Sequence, residues 1–88
     1  SEETAKADTV YKRSKINIFK QKKGKKGKTI TLIKGLGIED EVQLKELLKK
    51  IKVFSGTGGT LIGKNIQLQG DMATKAIEFL RKEGFQNL

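Results

Sequence analysis

The sequence predicts an α+β fold, a two-layer open sandwich in which a mixed β-sheet carries two helices on one face. Three observations lead there. Short apolar runs of strand character recur at four places, apolar residues recur at helical spacing at two, and a hydrophobic share of 35% in 88 residues supplies one two-layer core and no second. The order along the chain is β-β-α-β-β-α.

Residues 1–9 are small, polar and without periodicity, which predicts a flexible N-terminal tail ahead of a single domain over residues 10–88. From Lys15 the run Lys-Ile-Asn-Ile-Phe-Lys puts Ile16 and Ile18 on one strand face, and Thr29-Ile-Thr-Leu does the same with Ile30 and Leu32. Between them lies Gln21-Lys-Lys-Gly-Lys-Lys-Gly-Lys, too polar to bury, with Gly24 and Gly27 free to take the positive φ of a hairpin turn. Lys22, Lys23, Lys25, Lys26 and Lys28 therefore project from the end of a hairpin.

Gly35-Leu-Gly ends the second strand. Glu39, Asp40 and Glu41 then stand where a helix dipole favours acids, and Leu44, Leu47, Leu48 and Ile51 form a stripe, so the first helix is expected over about 39–52. Lys49, Lys50 and Lys52 fall in its last turns, and Glu41–Lys45 and Glu46–Lys50 are favourable i,i+4 pairs. Ser55-Gly-Thr-Gly-Gly-Thr stops the helix. Leu61-Ile62 and Ile66-Gln-Leu-Gln follow as short strands around a Gly63-Lys-Asn turn. Asp71 is placed to cap a second helix with the stripe Ala73, Ala76, Ile77 and Leu80, and Gly84 fits its C′ position. A right-handed crossover through the first helix would make the second and third strands parallel neighbours, hence the mixed sheet, whose far face stays open to solvent or a partner.

The charge is concentrated rather than spread. The whole chain carries +9, and residues 11–28 alone hold nine bases and no acid; the tail nets −2 and residues 29–88 net +2. A lysine run is ordinarily a solvated face, but like charges at this density repel one another and call for a polyanionic partner.

Composition also excludes. With no Cys and no His, there are no disulfides, thiol nucleophiles, histidine bases or Cys/His metal sites. Gly58-Gly-Thr-Leu-Ile-Gly-Lys-Asn imitates a P-loop, but Asn65 replaces the magnesium-binding hydroxyl and the lysine leads into a strand instead of a helix. The three acids at 39–41 are a helix start, and Ser55, Thr57 and Thr60 have no activating base. The chain is therefore not expected to be an enzyme, and no cofactor or metal is expected. An acidic N-terminus and the absence of an apolar run of about 18 residues predict a soluble, cytoplasmic protein without membrane contact. Of five aromatics, Phe54, Phe79 and Phe85 belong by position to the core, Tyr11 sits beside Lys12-Arg13, and Phe19 is exposed on the hairpin. That is too few for a base-stacking platform, so the lysines would meet phosphates and RNA shape.

Several stretches taken together resemble one family. Lys25-Lys-Gly-Lys-Thr-Ile-Thr-Leu-Ile-Lys-Gly-Leu, Leu47-Leu-Lys-Lys-Ile-Lys, Gly56-Thr-Gly-Gly-Thr, Ile66-Gln-Leu-Gln-Gly-Asp and Phe79-Leu-Arg-Lys-Glu-Gly-Phe, in this order over residues 15–85, are similar to the eukaryotic translation initiation factor 1 family and its bacterial and archaeal relatives. The resemblance implies two helices on a mixed sheet and binding, as a monomer, to small-subunit ribosomal RNA near the P site. Start-codon selection is the implied role, with initiator tRNA and other initiation factors as further partners. It assigns RNA contacts to Lys22, Lys23, Lys25, Lys26 and Lys28 in the loop and to Lys49, Lys50 and Lys52 on the helix. A general RNA-binding, RNA-chaperone or protein-interaction module of the same fold is the competing expectation. The tight Gly63-Lys-Asn turn resembles the archaeal and bacterial form. Ser55 stands where a Cys often precedes Gly-Thr-Gly-Gly, and Met72-Ala73 stands where a base often follows the Gln-Gly-Asp signature. Relatives commonly continue into a final strand, whereas this chain ends three residues beyond Phe85.

Overall fold

Four strands and two helices account for the computed structural model, which describes residues 15–24, 27–86 and 88. The expected tail and the domain's start at residue 10 lie outside the described residues. Strands β1 (Asn17–Lys23), β2 (Lys28–Lys34), β3 (Gly59–Ile62) and β4 (Asn65–Gln69) form one sheet in the order β1-β2-β4-β3, with helices α1 (Glu41–Ser55) and α2 (Ala73–Lys82). The α+β open sandwich and the β-β-α-β-β-α order are as expected.

Every strand pair is antiparallel, which corrects the mixed sheet. β2 and β3 do run in the same direction, but β4 lies between them. The central place buries Ile66 and Leu68 of β4 completely, whereas β3, with only Leu61 and Gly59 facing the helices, loses less by sitting at the edge.

The core joins Leu44, Leu47 and Ile51 of α1 and Ala76, Phe79 and Leu80 of α2 to Ile33, Ile66 and Leu68 of the sheet. Here β2 departs from expectation by one residue. Its helix-facing side chains are Thr31 and Ile33, both fully buried, while Ile30 and Leu32 face the other way. A one-residue shift exchanges the faces of a whole strand, and this one is chosen by a polar contact. The Thr31 hydroxyl donates to the Gly70 carbonyl at 2.7 Å and accepts from the Met72 amide at 2.8 Å. A buried Thr so satisfied is compatible with an otherwise apolar layer.

Asp40 caps α1, its side chain accepting from the Val42 amide at 2.9 Å, so the helix starts two residues later than expected. At the other end it continues through Val53-Phe54-Ser55 and ends at Gly56. Glu41 and Lys45 pair at 3.8 Å, but the expected Glu46–Lys50 pair does not form; Lys50 reaches Glu83 near the end of α2 instead, at 3.8 Å. Asp71 does not cap α2. The cap position is Met72, without a side-chain hydrogen bond, and Asp71 turns to Lys20 at 3.4 Å. Gly84 does close α2: its amide bonds the Arg81 carbonyl and the Phe85 amide bonds the Leu80 carbonyl, a Schellman pair. Lys64, the lysine of the P-loop imitation, donates to the Glu39 carbonyl at 2.7 Å and ties the β3–β4 turn to the start of α1.

Two buried hydroxyls make opposite predictions. Ser55 is 5% exposed and its Oγ has no hydrogen-bond partner, so Ser55→Ala should stabilise by about 1 kcal/mol. Thr31→Val keeps the shape but strands the Met72 amide, and should cost about 2 kcal/mol. Thermal unfolding checks both: for a domain this size each kcal/mol shifts Tm by about 4–8 °C, upward for the first and downward for the second.

Candidate nucleic-acid interface

The basic hairpin is built by register. β1 and β2 pair along seven residues each, but β2 meets β4 only from Ile30, opposite Gln69. The rungs Lys22–Thr29 and Lys23–Lys28 therefore extend past the edge of the four-stranded sheet, about 3.4 Å per residue. The turn closes through the Gly27 amide to the Gly24 carbonyl at 3.1 Å, with φ of +65° and +78° at these glycines. Lys25 and Lys26 lie outside the described residues.

Side-chain alternation then distributes the lysines. Lys23 and Lys28 are direct cross-strand partners on the open face, while Lys22 shares the helix side of β1 with Lys20. Like charges directly opposite destabilise a strand pair, and among the described residues neither Lys22, Lys23 nor Lys28 has an acidic partner. Lys20, at the hairpin's base, is the neutralised one, through Asp71.

The α1 lysines belong to another surface. Lys49 and Lys50 line a groove of about 620 Å³ between α1 and α2, floored by Val53, Phe54 and Phe79 and flanked by Glu46 and Glu83. Phe54 and Phe79 stack at 5.5 Å between ring centres, and the Lys82 ammonium lies 5.5 Å from the centre of the Phe54 ring. Lys52 is half-buried, and its carbonyl holds the amides of Gly56 and Thr57. The end of α1, the hairpin and the start of α2 all lie at one end of the sheet, because β2 and β3 begin there and β4 ends there. The structure thus gathers Lys22, Lys23 and Lys28 in one patch and Lys49 and Lys50 in a second, within the helix layer.

The open face, expected to meet solvent or a partner, has a composition that the sequence did not assign to it. No strand carries an Asp or Glu, and alternation brings Lys23, Lys28 and Lys34 to the side away from the helices. The signal was present in the alternation, but it was hidden by the one-residue misreading of β2.

Comparison with known proteins now bears on this geometry. Residues 12–86 match the family model of translation initiation factor SUI1. The chain belongs to that family. It is 42% identical over 71 residues to a protein translation factor SUI1 homolog of Methanocaldococcus jannaschii, covering 81% of this chain and 67% of that one. A SUI1 homolog of Hyperthermus butylicus is 40% identical over 67 residues, covering 76% and 64%. An uncharacterized protein of Synechocystis is 38% identical over 71 residues, covering 81% and 63%. The chain thus spans about two thirds of the length of these relatives.

The two stretches most distinctive of the SUI1 resemblance, Gly56–Thr60 and Ile66–Asp71, prove to be partners. The Gln69 amide bonds the Gly58 carbonyl at 2.9 Å, the Thr57 hydroxyl bonds the Gln69 carbonyl at 2.9 Å, and Gly59 and Thr60 pair with Leu68 and Gln67. A Cβ on Gly59 would stand 2.8 Å from Leu68 Cδ2 and 2.9 Å from the Gln67 carbonyl oxygen. The signature is a strand latch, and it meets the base of the basic hairpin through the Gly70 amide on the Thr29 carbonyl and the Asp71–Lys20 pair.

The facing lysines yield a test of electrostatic cost. Lys28→Glu converts the Lys23–Lys28 repulsion into attraction and should raise stability by about 0.5 kcal/mol. Thermal unfolding at low salt should show the gain, and 1 M salt, where screening is nearly complete, should erase it.

Proposed function

We propose that this chain is a non-enzymatic translation initiation factor that binds the small ribosomal subunit through ribosomal RNA near the P site and promotes accurate start-codon selection. Membership of the SUI1 family supports a role in initiation. The observation that carries the contact is the hairpin, where Lys23 faces Lys28 and no acid among the described residues neutralises either. An arrangement that costs stability in the free protein is relieved by a polyanion.

Lysine suits this role because its ammonium is a point charge on a flexible stem. It meets phosphates at many angles and reads the shape of a folded RNA, without the planar fork by which Arg recognises guanine. Lys22, Lys23, Lys25, Lys26 and Lys28 are the proposed phosphate contacts. Lys49, Lys50 and Lys52 form a second set on the helix layer; the Lys50–Glu83 ion pair makes that set the weaker, since its charge is already partly compensated. Initiator tRNA and other initiation factors are further partners in this reading, and the chain acts as a cytoplasmic monomer.

Co-sedimentation with isolated small ribosomal subunits is the direct test, performed with an excess of bulk RNA. Retained binding supports the assignment, whereas equal affinity for bulk RNA assigns the chain to general RNA binding. If five loop lysines meet phosphates, log affinity should fall with log salt at a slope of about −3.5 to −4.5 by counterion release. A flat response removes the hairpin as the main contact. Replacing all five by Ala should abolish most of this slope without lowering Tm much, because Lys22, Lys23 and Lys28 lie outside the core and the Lys23–Lys28 repulsion is lost with them.

A further inference from the structure

The open face of the sheet is a lattice of side chains set by register. Cross-strand rows run Lys23–Lys28, then Gln21–Ile30–Gln69, then Phe19–Leu32–Gln67–Thr60. Successive rows are two residues apart, about 6.8 Å along the strands. Phe19 is 39% exposed, and the Lys34 ammonium stands 5.6 Å from its ring centre. Between this row and the hairpin is a hollow of about 590 Å³, bounded by Lys23 and Lys28 and floored by Ile30, Gln67 and Gln69. The Gln69 amide group lies over Gly58, where any Cβ would come within 3.1–3.2 Å of it.

We infer that this face binds a short single strand of RNA, with one base stacked on Phe19, the glutamine amides meeting base edges in the hollow, and Lys23, Lys28 and Lys34 meeting phosphates. Three features of the face agree on this occupant. Its strand residues include no acid, so a polyanion meets no repulsion there. Gln21, Gln67 and Gln69 present amides on it, which both donate and accept and so can pair with the edges of unpaired bases. Its exposed ring lies at the edge strand, open to a flat apolar partner, and a flexible ammonium already beside it can move to the phosphate of the nucleotide whose base arrives. A single aromatic makes one stacking position, not a platform, so the site holds one base firmly and neighbouring nucleotides through charge and hydrogen bonds. The face is continuous with the hairpin through Lys23 and Lys28, so one strand could cross from the hairpin onto the sheet.

The inference rests on the RNA-binding reading, and the experiment separates the two. Wild-type chain is titrated with octauridylate and, separately, with a duplex RNA. Phe19→Trp serves as reporter, since the chain has no other Trp and position 19 lies outside the core. Octauridylate should quench its emission and duplex RNA should not. Phe19→Ala should weaken octauridylate binding about tenfold and leave duplex binding unchanged, with Phe19→Leu, which keeps apolar bulk without a ring, behaving like the Ala variant. Lys22, Lys23 and Lys28 replaced together by Ala should weaken both. Duplex binding without quenching, or an unaffected Phe19→Ala variant, overturns the sheet-face site and leaves the hairpin reading intact. Failure of the wild type to bind octauridylate while it still co-sediments with small subunits overturns the sheet-face site alone, and failure in both assays overturns both. Self-association abolished by Phe19→Ala, seen by analytical ultracentrifugation, would assign the face to a second copy and also overturn it.

Discussion

The hydroxyl of Thr31 is the pivot of this fold. It is a polar group with no exposure in the middle of β2, donating to Gly70 and accepting from Met72. These bonds bring the end of β4 and the entry to α2 against β2, and the Gly70 amide adds a bond to the Thr29 carbonyl at 2.8 Å. Were β2 shifted by one residue, Ile30 and Leu32 would turn inward, the hydroxyl would lose both partners, and each cross-strand neighbour would change. Apolar burial alone distinguishes the two registers poorly, because β2 is apolar on both sides. An unpaired buried donor distinguishes them well.

The distribution of charge follows from that choice. With Thr31 and Ile33 inward, Ile18 and Lys20 of β1 share the helix side, and Lys23, Lys28 and Lys34 take the other. Lys20 arrives next to Asp71 at the corner Thr31 holds, and is neutralised there. Lys22, Lys23 and Lys28 lie past the last rung of the β2–β4 pairing, without an acidic partner among the described residues. One strand thus contains both a lysine paired within the molecule and lysines without an acidic partner among the described residues; the pleat sets Lys23 on the other face from Lys20, and Lys22, on the same face as Lys20, lies beyond the point where β4 pairs with β2.

The most recognisable stretches of the chain serve structure. Gly-Thr-Gly-Gly-Thr supplies the stop of α1, a close approach of β3 to Leu68 and the bonds to Gln69. Gly59 is required because a Cβ there would stand 2.9 Å from the Gln67 carbonyl oxygen, and Gly56 because the helix ends on it at a φ of +69°. Lysines in a loop face no such constraint, so a motif of this family identifies the fold more sharply than it identifies the binding surface.

Element order, the α1 stripe, Ala76 and Leu80 of the α2 stripe, the lysine hairpin and the Gly84 helix end were legible in the sequence, because each depends on residues within a few positions of one another; Ala73 and Ile77, expected in the α2 stripe, are only half-buried, and Phe79 joins the core there. Asp40 as a cap is of this kind; Asp71 is not, since its partner Lys20 is 51 positions away and reaches it only across the folded sheet. The same limit hid the antiparallel sheet order, the face exchange in β2, the Lys50–Glu83 pair and the acid-free lattice around Phe19. Periodicity states which residues share a face. Which of two faces is buried is decided by the partners that long-range packing brings, and here by the two backbone groups that the Thr31 hydroxyl satisfies.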